Sequence, residues 1–225
     1  MVLQFPSFSA DESERRGMAA PTLSASSPPL SAASTPSTST VAPGELVVKT
    51  YTGLPIELVA DFLALYRESF AELEITAAGR QSHTDAEFIE EMANPAVLKF
   101  VAWVDGVAAS MVFISNDLTT VPWISVPYYR HRFPDHYARQ AIYYVGALLV
   151  HPGYRRGAAL AAVLRVAAQV VAGNDGLAAF DCCEHNSTTV QLPRVVAMLL
   201  RRTCDVAEHK IDVQSYYALE LRNPR

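Results

Sequence analysis

The sequence predicts a mixed α/β (α+β) domain over residues 45–225, preceded by a segment without a core of its own. Three observations carry this. Period-two apolar runs and helical-period runs alternate in the order β-α-α-β-β-β-α-β-α-β-β. An Asp105-Gly106 pair joins two apolar runs, which is the signal of a tight antiparallel hairpin. An apolar run, Ala141 to Val150, ends in His151-Pro152-Gly153-Tyr154-Arg155-Arg156-Gly157 and passes into an Ala/Leu/Val-rich helical segment from about Ala158 to Ala172.

Residues from about Ser7 to Gly44 are mainly Ser, Thr, Ala and Pro, with too few large apolar side chains to offset the entropy of ordering. They read as an open tail, residues 1–44, or as an upstream extension of the reading frame. The early acidic residues Asp11, Glu12 and Glu14, with no apolar run after them, argue against a secretory signal. No apolar stretch approaches the roughly 18 residues that span a bilayer. A net charge of −5 argues against a nucleic-acid binder. Three cysteines, Cys182, Cys183 and Cys204, read as free thiols of a cytoplasmic protein.

Taken in order, Glu45 to Tyr51 reads as the first strand. Pro55 suits the first position of a helix that runs through Leu58, Phe62, Leu65 and Phe70. After a polar gap, Thr84 and Glu87 form a capping-box pattern ahead of Phe88, Ile89 and Met92, and Asn94-Pro95 stops that helix. Val97–Val104 and Val107–Ser115 flank the Asp105-Gly106 turn. Asn116 to Gln140, rich in Pro and aromatics, reads as a long irregular loop. Ala141 to Val150 is the fourth strand, and Asn174-Asp175-Gly176 turns the chain into a fifth, Leu177 to Cys183. Pro193 opens a helix ending near Thr203, and Asp205–Asp212 and Gln214–Leu221 read as a closing pair of strands.

A strand feeding a basic loop into a helix N-terminus is suited to an anion, because free N–H groups and the helix dipole converge there. Arg155 and Arg156 add donors suited to phosphate. This segment resembles the acyl-CoA-binding motif of the GCN5-related N-acetyltransferase (GNAT) superfamily, in which Val-x-Pro-x-x-Arg precedes an Arg/Gln-x-x-Gly-x-Gly/Ala helix start. Arg155 falls on the Arg/Gln, Ala158 and Leu160 fall on the two small-residue positions, and Gly157 stands one place early. The element order matches as well, over about Glu45 to Leu221.

The resemblance implies a mixed, mostly antiparallel sheet of six to seven strands flanked by about four helices, with the fourth and fifth strands splayed. It implies acetyl-CoA, or another acyl-CoA, as co-substrate and no metal. Leu148, Leu149 and Val150 would contact pantetheine, and Arg155, Arg156, Gly157, Ala158, Ala159 and Leu160 would cradle the pyrophosphate. Asn186 falls where relatives carry a cofactor-touching Asn, although it also suits a simple turn before the next helix. Gly146 suits the bulge that opens the strand.

The reaction implied is direct transfer of an acetyl or other acyl group to a primary amine on a small molecule or peptide. Nucleic acid and membrane are not expected as partners, and the protein would be a monomer or homodimer. Glu184 and His185 are candidate bases, with a solvated loop pair as the other reading of each. The family's Tyr acid has no counterpart in the last helix, which leaves Tyr144 or Tyr217, with Tyr143 and Tyr216 beside them, as replacements. Trp123, Tyr128, Tyr129 and His136, in the long loop before the fourth strand, are candidate acceptor contacts or parts of a packed flap. The cluster Cys182, Cys183 and His185 lacks zinc-ligand spacing. Two alternatives stand: a GNAT-like domain that binds acyl-CoA or a protein without catalysis, and an enzyme using longer acyl thioesters.

Overall fold

The computed structural model of the chain describes residues 45–154 and 158–222. The expected tail, residues 1–44, and the site candidates Arg155, Arg156 and Gly157 lie outside the described residues. Five strands form one sheet in sequence order: β1 (Leu46–Tyr51), β2 (Val97–Val104), β3 (Val107–Ser115), β4 (Ile142–Val150) and β5 (Leu177–Ala179). Neighbours are antiparallel except β4 and β5, which run parallel.

The hairpin between β2 and β3 forms as its turn residues require. Asp105 and Gly106 both take positive φ, 50° and 79°, the backbone of a turn whose twist matches the strands. Helix α1 (Ile56–Phe70) begins one residue later than the sequence suggests, with Pro55 in extended conformation just outside it. A single turn, α2 (Leu73–Thr76), follows. Helix α3 (Asp85–Ala93) carries the expected capping box. Thr84 Oγ1 accepts the Glu87 N–H at 3.3 Å, and Glu87 Oε2 accepts the Thr84 N–H at 2.7 Å. The Arg80 guanidinium, then the Thr84 N–H, hold the Glu87 carboxyl down at about 2. Thr84→Ala is expected to cost about 1 kcal/mol of folding stability, read as a shift in the urea midpoint at unchanged slope.

Helices α1 and α3 cover one sheet face, where Phe62, Tyr66, Phe70, Phe88 and Met92 pack on Val101, Met111, Phe113 and Leu149. Helix α6 (Ala159–Ala172) and helix α7 (Leu192–Leu200) cover the other, over Phe100, Val112, Leu148 and Val150. In α6 the small apolar residues recur at helical spacing, and Ala159, Val163 and Ala167 face the sheet. No helix among the described residues is long and apolar enough to cross a membrane.

Three expectations change. The 116–140 stretch is not irregular: it holds helix α4 (Val126–Arg132) and helix α5 (Pro134–Ala138). Ser125 caps α4 with Pro127 in its first turn, and Pro134 opens α5. Their apolar side packs Tyr129, with Leu118 and Val121, on Ile142, Tyr144 and Ala179. Strand β5 stops after three residues rather than reaching Cys183, and just beyond it the Tyr144 hydroxyl donates to the Asp181 carboxylate. Among the described residues the sheet has five strands, not six or seven. Asp205–Asp212 and Gln214–Leu221 form none. A strand as short as β5 offers too little ladder to recruit two long ones, and Tyr217, Leu219 and Leu221 stay exposed.

Candidate functional site

The site begins with an unequal pairing of β4. On its β3 side the ladder runs from Tyr144 to Val150. On its β5 side it covers only Ile142, Tyr143 and Tyr144, paired with Leu177, Ala178 and Ala179. From Val145 onward no described strand pairs with that edge, so the two strands part as the sequence resemblance implies. The parting coincides with a bulge. Ile114 pairs with Val145 and Phe113 with Ala147, which leaves Gly146 as the extra residue.

Gly146 is glycine for want of room. A Cβ there would overlap the edge of the Phe113 ring, coming 2.7 Å from Cδ2, and would lie 3.2 Å from Glu91 Oε1. The Glu91 carboxylate therefore sits against the bulge. It reaches there because residues 88, 91 and 92 share the inward stripe of α3, and Phe88 and Met92 are fully buried.

Glu91 belongs to a buried chain of polar groups. Its Oε2 lies 3.1 Å from His83 Nε2, with both side chains almost covered. His83 Nδ1 lies 2.7 Å from Tyr66 Oη, which also accepts the His83 backbone N–H at 2.8 Å. Burial pushes the Glu91 carboxyl up to about 7, moderated by Lys99. Burial likewise lowers His83 and raises the Tyr66 hydroxyl. Lys99 is buried within β2 and donates to the carbonyls of Thr52 at 3.0 Å and Asn94 at 2.6 Å. Burial brings it down to about 8.

An aromatic wall adjoins this chain. The Trp123 ring meets His83 at 5.1 Å and Tyr144 at 6.3 Å, both edge-on, and keeps 43% of its surface exposed. Tyr129 meets Tyr144 at 6.3 Å. Burial and the Asp181 charge raise the Tyr144 hydroxyl far above an ordinary phenol, so it stays protonated and donates to Asp181.

The sequence-derived candidates separate into three groups. Tyr144, Trp123 and Tyr129 stand together beside the parting of the strands. Leu148, Leu149 and Val150 lie on the unpaired stretch of β4 with buried side chains, so only their backbone faces the gap. Ala158 leads into α6, and the side chains of Ala159 and Leu160 are buried. Asn186 is fully buried in a π-helical turn, His185–Thr189, directly after the gap.

The remaining candidates lie apart. Glu184 is exposed, and its carbonyl accepts the Thr188 hydroxyl. His185 Nε2 lies 3.9 Å from Glu72 Oε1. Tyr217 is 90% exposed on the C-terminal segment. Tyr128 donates to the Ile211 carbonyl at 2.8 Å, and His136 packs edge-on to Phe133 in α5. Cys182 and Cys183 are half-buried beyond the end of β5, and burial pushes the Cys182 thiol up to about 11. Glu91, His83 and Tyr66 are not found from the sequence. The available signal is the acidic residue at position 91, inside the apolar stripe of a capped helix.

No protein-family model matches the chain, and no curated protein does. Solved structures do. An aminoglycoside N-acetyltransferase, AAC(6')-Iy, in complex with CoA is similar at 14% identity and a TM-score of 0.45, over 76% of this chain and 95% of that one. An aminoglycoside acetyltransferase from an uncultured soil metagenomic sample, in complex with sisomicin, gives 14% and 0.45 over 78% and 97%. A ribosomal-protein-alanine N-acetyltransferase from Brucella melitensis biovar Abortus 2308 gives 14% and 0.44 over 76% and 99%.

The order of β1 to β5 around α1, α3 and α6, with β4 bulged and parted from β5, is read from this chain alone.

Proposed function

We propose that residues 45–225 form a GNAT-type N-acyltransferase that moves an acetyl or other small acyl group from acyl-CoA to a primary amine by direct transfer. The observation that carries this reading is the free, bulged edge of β4 from Val145 to Val150, where it parts from β5. An extended chain with amide groups, such as pantetheine, adds to such an edge as a short strand does, through backbone hydrogen bonds. At a bulge one residue's N–H leaves the ladder and is free to meet a developing oxyanion. In this reading the start of α6 meets the pyrophosphate end, with exposed Ala158 leaving room for close backbone approach.

The acceptor, an amine on a small molecule or peptide, approaches past Trp123 and Tyr144. Tyr144, engaged with Asp181 and strongly held in its protonated form, shapes that wall instead of releasing a proton. The reading places the protein in the cytoplasm as a monomer or homodimer, with acetyl-CoA as co-substrate and no metal.

Calorimetric titration of the full chain with acetyl-CoA and with CoA tests the donor site. Saturable micromolar binding is the expected result. Absence of binding to both removes this reading. Thiol release from bound acetyl-CoA with added amines then separates catalysis from binding alone.

A further inference from the structure

Resting on that reading, we infer that Glu91 takes the proton from the acceptor amine, and that His83, pinned by Tyr66, holds Glu91 in place for this. The hydrogen-bond directions are assigned with the imidazole neutral. Tyr66 Oη accepts the His83 backbone N–H, and its own proton points to His83 Nδ1, 2.7 Å away. Burial keeps that hydroxyl protonated. With the hydroxyl proton directed to Nδ1, the neutral imidazole carries its proton on Nε2. Nε2 lies 3.1 Å from Glu91 Oε2, at contact distance but outside hydrogen-bond geometry. Held by Tyr66 through Nδ1, His83 packs against the carboxylate and acts as a positioning residue. Glu91 keeps its second oxygen, Oε1, against Gly146 at the bulge.

The charged and titratable groups around Glu91 are Lys99 on β2, Glu87 on its own helix, and His83 from the loop ahead of α3. Lys99 favours the carboxylate and Glu87 opposes it. The carboxylate raised from the sequence lacks this placement: Glu184 is exposed.

The step balances as follows. The acceptor ammonium gives one proton to the Glu91 carboxylate. The freed nitrogen lone pair forms the C–N bond at the thioester carbonyl. The C–S bond breaks with its electron pair on sulfur, the proton held by Glu91 returns to that thiolate, and the extra proton on the new amide nitrogen passes to the vacated Glu91 carboxylate and from there to solvent. A group that accepts and then releases a proton near neutral pH suits both halves.

The test uses the full chain, acetyl-CoA, and n-butylamine, tryptamine and spermidine as probe amines. Glu91→Gln is expected to lower kcat by about 10²- to 10⁴-fold while acetyl-CoA affinity, read by calorimetry, stays unchanged. The wild-type acidic limb of kcat/KM, near pH 7, disappears with it. His83→Ala removes the imidazole that lies against the carboxylate and moves that limb to higher pH, a shift that a purely structural role would not produce. Turnover in Glu91→Gln above half of wild type, or an unmoved limb in His83→Ala, overturns the inference while leaving the acyltransferase reading intact.

Infrared titration reads the same carboxyl without any acceptor. A band absent from Glu91→Gln and titrating near pH 7 supports the arrangement, and one titrating near 4.5 overturns it. Failure of acetyl-CoA to bind the wild type counts against the donor site itself.

Discussion

Replacing Gly146 with alanine is expected to destabilise the fold by about 1–3 kcal/mol and to reduce turnover by roughly 10²-fold or more. The added methyl has nowhere to go. It meets the Phe113 ring edge on one side and Glu91 Oε1 on the other. Phe113 is fully buried and packs with Val101, Met111 and Leu149, so its ring cannot swing aside without disturbing the face under α1 and α3. If the ring holds, the bulge must shift, and with it the N–H assigned to the oxyanion. If the bulge holds, Glu91 is displaced. Urea unfolding reads the first effect and thiol release the second. A variant of wild-type stability and full activity would mean that the bulge relaxes freely.

Glu91→Gln is expected to have the opposite effect on stability from the one it has on activity. Its carboxyl is raised from 4.5 to about 7, chiefly by burial. Between those values the folded protein holds a proton that the unfolded chain has released. The wild type therefore loses stability as pH rises through this window, by about 3 kcal/mol in full. The amide carries no such charge. Relative to its effect at pH 4, the substitution should gain about that amount at pH 8. His83, lowered by burial, contributes in the opposite direction below its ordinary range, but it does so in both proteins. Lys99, lowered from 10.5 to about 8, acts only above this window. Chemical denaturation of the two proteins from pH 4 to pH 8 measures the difference, and parallel curves would show that Glu91 is not desolvated. A stabilising substitution that abolishes turnover is the usual sign of a side chain kept for chemistry rather than packing.

The parts of the fold legible in the sequence are those decided locally. The β2–β3 hairpin has its period-two pattern and an Asp105-Gly106 turn that fixes the register. Helix α3 has both partners of its cap within four residues. Helix α6 has an uninterrupted apolar stripe and a defined turn after it. Helices α4 and α5 carried the same kind of signal, Ser125 ahead of Pro127 and Phe133 ahead of Pro134, but the density of aromatics and prolines around them reads as loop.

The failures are non-local. The alternation of residues 205–221 is real, but a strand exists only against a partner edge, and β5 provides just three residues. Bulge and parting were legible at Gly146, because a glycine in an apolar strand has few other reasons to be there. Glu91 was not legible. Its value depends on His83 and Tyr66, which approach from two other segments, and sequence spacing carries no trace of that meeting.

The brevity of β5 also bears on how such a protein changes over evolutionary time. The donor edge belongs to β4, which is anchored by a continuous antiparallel ladder back to β1. The chain beyond Ala179 leaves the sheet after three parallel pairs and returns to its face only through α7. Residues between Ala179 and α7 can be exchanged, lengthened or re-routed with little penalty to the ladder of β1 to β4. In the proposed acyltransferase, that segment is thus free to drift while the parted edge stays fixed, so one scaffold can be altered beside the gap without being rebuilt.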